Sequence, residues 1–144
     1  MTLIECFDTS HIENIIGCLC LRPQRVIFIG DEAQMEKHVE RYKRLLKKRG
    51  QTPDVFFHNI QEDEPIIQTL IKIIEEENDD CIIDFTGGDE DVVFEITRSL
   101  SALSPEQRKK LSLQKFNFKN GSIIDYDKDG HIVSGVSANL TVEE

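Results

Sequence analysis

No run in these 144 residues reaches the roughly 20 consecutive apolar side chains that a membrane-spanning helix needs. The opening Met1-Thr2-Leu3-Ile4-Glu5 has no basic region followed by a long apolar segment, so no signal peptide is expected. Internal repeats and low-complexity tracts are missing too. Cysteine is scarce: Cys6 and Cys81 lie in apolar runs, and Cys18-Leu19-Cys20 lacks the C-x-x-C spacing of redox and zinc motifs. The four thiols, Cys20 among them, read as buried and reduced, which points to the cytoplasm.

Catalytic signatures are also lacking. There is no G-x-S-x-G elbow, no P-loop and no arrangement of Cys and His that makes a nucleophile. His11, His38, His58 and His131 fall in four separate elements and share no ligand spacing, so no metal is expected, and no other cofactor. The stretch Asp125-Tyr126-Asp127-Lys128-Asp129-Gly130 imitates half of an EF-hand loop. The twelfth position is Val136, however, and the flanks read as strands, so it is expected to be a turn.

What the chain does have is acid. Its 27 acidic against 17 basic residues give a formal charge of −10. Such a surface disfavours non-specific binding to DNA, RNA or anionic membranes. A small anion in a pocket stays possible, because local backbone dipoles outweigh distant, screened charge. The basic stretch from Arg41 to Arg49 sits at a helix C-terminus, where cations suit the dipole, and Glu36 and Glu40 dilute it. It reads as a solvated face, with His38 on the same helix facing water.

Apolar runs alternate with amphipathic segments four times. Strands are expected at 2–7, 25–30, from Pro53 through Phe57, and at 81–85; helices at 11–20, 33–49, 64–77 and 90–103. In the third helix Ile66, Ile67, Leu70, Ile71 and Ile74 keep i, i+3, i+4 spacing, so one face is buried. Nearly continuous apolar strands fit a parallel sheet covered on both faces. Ser104-Pro105 ends this regime. Residues 111–134 then read as strands around turns at Asn120-Gly121 and Asp127–Gly130. The fold expected is a Rossmann-like three-layer α/β sandwich: four parallel β-α units, then an antiparallel β meander at the sheet edge. The domain spans 1–137; residues 138–144, with Thr141 as an N-cap, read as the start of a following segment.

Two polar corners are site candidates. The strand at 81–85 runs into Thr86-Gly87-Gly88, where glycine allows a tight turn and close approach of a ligand; a helix then opens on Asp89, Glu90 and Asp91. Those acids complement the helix dipole but repel a phosphate. The other corner is Asp8-Thr9-Ser10-His11, where Ser10 and Glu13 match a capping box and the Thr9 and Ser10 hydroxyls could line a cleft. With the common strand order 3-2-1-4 both corners share the carboxyl edge where winding reverses, the usual ligand crevice of open α/β sheets.

The run from Leu3 to Asp8 with His11-Ile12-Glu13-Asn14-Ile15, the run from Arg25 to Gly30, and Asp84-Phe85-Thr86-Gly87-Gly88 together resemble CARF domains, the CRISPR-associated Rossmann-like sensors. The subgroup most similar carries a restriction-type nuclease domain after the CARF domain. The resemblance implies a homodimer that binds a cyclic oligoadenylate across its two-fold axis. Thr9, Ser10 and His11 would serve in one loop and Thr86, Gly87 and Gly88 in the other. Family members with this corner often read Thr-Gly-Gly-Thr-Lys, whereas Asp89 and Glu90 follow here. Two alternatives stand beside the sensor: a pocket that cleaves its own nucleotide, and an acidic module that contacts a basic protein. A receiver-type domain is a weaker fit, since His58 and Asn59 stand where the third strand should end on Asp.

Overall fold

The computed structural model describes residues 1–59, 65–88, 90–117, 122–126 and 132–137. Seven strands form one sheet in the order β3-β2-β1-β4-β5-β6-β7. These are β1 (Thr2–Cys6), β2 (Arg25–Gly30), β3 (Asp54–Asn59), β4 (Cys81–Asp84), β5 (Leu111–Asn117), β6 (Ser122–Tyr126) and β7 (Ile132–Ser137). The helices are α1 (His11–Leu21), α2 (Glu32–Lys48), α3 (Ile66–Glu76), α4 (Glu90–Ser99) and α5 (Pro105–Lys109), with a 3-10 turn at Leu100–Ala102.

The first five strands run parallel, so Leu111–Asn117 extends the parallel sheet beside β4. β6 pairs antiparallel with β5, and β7 with β6, carrying a register shift at Asp125/Tyr126. The turns expected at Asn120-Gly121 and Asp127–Gly130, the acid Asp89 and the segment 138–144 lie outside the described residues. The segment before β5 departs from expectation. Instead of simply ending the helical regime, Ser104 caps α5: its Oγ accepts from Gln107 N–H at 3.2 Å, and its own N–H donates to Gln107 Oε1 at 2.9 Å. Pro105, a helix breaker elsewhere, is well placed in the first turn, where its missing N–H costs nothing.

Strand periodicity splits the core in two. Ile4, Cys6, Ile27, Ile29, Cys81 and Ile83 face α3 and α4, meeting Leu70, Ile73, Ile74 and Ile96. Leu3, Val26 and Phe28 face α1 and α2, meeting Ile15, Cys18, Met35, Tyr42 and Leu46. Because side chains alternate, Glu5 points the same way as Leu3, into the α1 layer. It is fully buried, and β1 is covered over its whole length. Asp84 is its direct partner across the β1–β4 ladder and is also buried. The strand at 81–84 is therefore not apolar throughout.

Candidate functional site

Loops after β1, β2 and β4 gather at one edge of the sheet, and Asp8 organises the first of them. Its main chain is pinned by Asn14, a fully buried residue of α1: Asp8 N–H donates to Asn14 Oδ1 at 2.7 Å, and Asn14 Nδ2 donates to Asp8 C=O at 2.7 Å. The Asp8 carboxylate then accepts from Ser10 N–H at 2.9 Å and, through its other oxygen, from Gly88 N–H at 2.8 Å. Partial burial works to raise its pKa, but hydrogen bonds from Ser10, Gly88, Glu13 and Thr9 prevail and hold it below the ordinary value. Glu13 beside it moves the opposite way, pushed up by burial and by the charge of Asp8. A carboxyl group near an ionised neighbour holds its proton more tightly.

The capping box expected at Ser10 and Glu13 does not form. Ser10 is the N-cap of α1, but its side chain makes no cap hydrogen bond. Asp8 competes successfully, since a carboxylate two residues back accepts the Ser10 N–H itself and also draws Glu13 to its side.

The two sequence-predicted corners do meet, and they meet closed. A Cβ on Gly87 would lie 3.0 Å from Glu13 Cβ and 3.1 Å from Asp8 Cβ. Gly88 has φ +106°, and a Cβ there would lie 2.6 Å from Cys6 Cβ. Thr86 turns inward. Its N–H and hydroxyl both reach Asp84 Oδ1, and its hydroxyl oxygen accepts Phe116 N–H at 2.8 Å, tying the corner to β5. Glu90 is exposed at the start of α4, and Asp89 is not among the described residues.

An open cleft lies on the other side of the first loop. A cleft of about 370 Å³ is lined by Phe7, Asp8, Thr9 and His11 from the β1 side and by Asp31, Gln34 and His38 from the β2 side. Thus Asp8, Thr9 and His11 line it, whereas Ser10, Thr86, Gly87, Gly88 and Glu90 do not. Asp31, Gln34 and His38 were not singled out from the sequence as lining residues. The usable signal was periodicity: Met35, His38, Val39 and Tyr42 follow one another at helical spacing, and three of the four are buried.

His38 is only partly open to water, at the cleft wall. It is half-buried, its ring 4.5 Å from that of His11, 6.2 Å from Tyr42 and 6.4 Å from Phe7, centre to centre. The apolar Phe7 and Tyr42 draw the imidazole in, which outweighs the charged character of the rest of α2. His11 Nδ1 shares a hydrogen bond of 2.7 Å with Tyr42 OH, and Asn14 Nδ2 donates to the same phenol at 3.0 Å. Asn14 therefore fixes both the Asp8 loop and, through Tyr42, the His11 ring.

Beneath this edge lies the Glu5–Asp84 pair. Both oxygens of Glu5 and Oδ2 of Asp84 are buried without a donor from elsewhere in the chain. Burial first, then the charge of Asp84, pushes the Glu5 pKa well above its ordinary value, so Glu5 holds a proton and donates it to Asp84. Gly17 of α1 covers the pair; a Cβ there would collide with Glu5 Oε1 and Asp84 Oδ2. Among the described residues no group of three or more His, Cys, Asp or Glu side chains could hold a metal ion. No described helix is long and apolar enough to cross a membrane.

No protein-family model matches this chain, and no curated protein does. Among solved structures, it is similar to Can2 from Sulfobacillus thermosulfidooxidans in complex with cyclic tetra-adenylate (cA4). The TM-score is 0.70 at 13% sequence identity, covering 96% of this chain. The chain spans 37% of the Can2 chain. The likeness is one of fold.

Proposed function

We propose that this chain is a CARF-type sensor domain that binds a cyclic oligoadenylate in the cleft between the loops after β1 and β2. The observation that carries the reading is the fold shared with Can2, a protein solved with cA4, taken together with an open cleft at the carboxyl edge of the sheet. Asp8, Thr9 and His11 contact the ligand from the first loop. Ser10, Thr86, Gly87 and Gly88 act at one remove by holding that loop in position.

In this reading the protein works as a cytoplasmic homodimer, and the ligand spans two copies of the cleft. Ligand binding then governs a following effector domain of the restriction-nuclease kind. Membranes, DNA and RNA are not partners of this domain. Calorimetry with cyclic oligoadenylates of several ring sizes tests the reading; absence of heat with all of them would remove it.

One observation favours a second reading, cleavage of the bound nucleotide. Two imidazoles meet edge to face at the cleft wall, and paired imidazoles can serve as general acid and base. Appearance of linear product on incubation with the ligand would establish it.

A further inference from the structure

The cleft is built unlike an ordinary phosphate pocket, which offers free N–H groups at a helix N-terminus. Two helices open at its rim, and at α2 the leading N–H groups are already engaged. Asp31 Oδ1 accepts from Ala33 N–H at 2.9 Å and Gln34 N–H at 3.3 Å. Asp8 accepts from Ser10 and Gly88. These carboxylates satisfy the backbone and leave negative charge at the wall. An anion entering here meets two carboxylates, and among the seven lining residues only His11 and His38 can offset them with positive charge.

We propose that His38, backed by His11, is the phosphate-binding group of the cleft, and that an anionic ligand enters together with a proton. The assignment of the anion as a cyclic oligonucleotide rests on the function proposed above; the anion site itself does not. The geometry is prearranged: the His38 ring is held among Phe7, His11 and Tyr42, so little side-chain freedom is lost on binding. His11 is held in turn by Tyr42, whose hydroxyl also accepts from Asn14.

The charged groups around His38 are His11 from α1, Lys37 and Arg41 from its own helix, and Asp8 and Asp31 across the cleft. Partial burial, then His11, Arg41 and Lys37, hold the His38 pKa below the ordinary 6.5. The free protein therefore carries His38 neutral at pH 7. A phosphate placed against the ring reverses the balance, because a nearby anion favours the imidazolium. A proton is then taken up from solvent onto the ring. Phosphodiesters lack the second ionisation of phosphate monoesters near pH 6. Any dependence of affinity on pH in that range therefore comes from the protein. One linked proton makes binding strongest below the His38 pKa of the free protein. Affinity then weakens by up to about tenfold per pH unit until the pKa in the complex is passed.

The test is a pH titration of the histidine Cε1–Hε1 signals of the intact protein by NMR, with and without sulfate, whose charge is constant over the range. Calorimetry with cA4 at pH 6, 7 and 8 accompanies it, in buffers of differing ionisation enthalpy. The expected result is a His38 pKa raised by sulfate, proton uptake on cA4 binding, and an affinity falling several-fold per pH unit. His38→Gln should abolish that slope and weaken binding most at pH 6, where the imidazolium contributes in the wild type. Affinity for cA4 that is flat with pH would overturn the proposal while leaving the nucleotide reading intact. No cA4 binding, with the His38 pKa still raised by sulfate, would leave an anion site and remove the nucleotide reading. A His38 signal indifferent to both ions would overturn the proposal outright.

Discussion

Asp8 and Gly88, eighty residues apart in sequence, are joined by a 2.8 Å hydrogen bond from the glycine N–H to the carboxylate Oδ2. This bond closes the seam between the loops after β1 and β4 and leaves the open cleft beside β2. Asp8→Ala removes the acceptor for Gly88 N–H and for Ser10 N–H together. The expected loss is about 1–3 kcal/mol, read from the midpoint of urea unfolding.

The same carboxylate sets an acid dependence. The pKa of Asp8 lies below its ordinary 3.8, so the folded protein binds this proton less tightly than the unfolded chain does. Its contribution is complete above the unfolded value and disappears as pH falls through the folded one. Thermal melts at decreasing pH should show a loss of Tm below about pH 4 that is smaller in Asp8→Ala.

Glu5 runs the other way. Its pKa is raised well above 4.5, so its contribution is full below that value and declines as pH rises toward the folded pKa. Glu5→Gln keeps a donor to Asp84 but removes the buried ionisation. The variant should match the wild type near pH 4.5 and exceed it by about 1–3 kcal/mol at pH 8, measured by denaturant unfolding at both values.

Gly17 has no room for a side chain. Gly17→Ala places a methyl group against Glu5 Oε1 and Asp84 Oδ2, so the buried carboxyl pair or α1 must give way. The expected cost is about 1–3 kcal/mol, opposite in sign to the usual gain from alanine in a helix.

Much of the fold was legible because its signals are strong. Alternating apolar and amphipathic runs give the β-α units, and two-sided burial of β1 fits the order 3-2-1-4. The Asp8 loop and the Gly87–Gly88 corner were also readable as neighbours. Other features were less visible. Glu5 and Asp84 each interrupt an otherwise apolar strand, and only the β1–β4 register brings them together. Ser104 and Gln107 spell a capping box, yet Pro105 read as a break rather than a first turn. His38 lies on a helix rich in charge, and its burial depends on Phe7 and His11, which arrive from another layer. Asp31 caps α2 in the structure, and its place at the cleft follows from how the β2 loop packs beside the β1 loop.

The most direct measurement is thermal unfolding of the intact protein with cA4, set against linear tetra-adenylate at the same concentration. A ligand seated only on the folded state adds about 2.7 kcal/mol at a hundredfold excess over Kd, so the melting temperature should climb steadily with cA4 and hardly move with the linear control. An unchanged melting temperature at millimolar cA4, or an equal rise with both compounds, would contradict recognition of a cyclic nucleotide by this cleft.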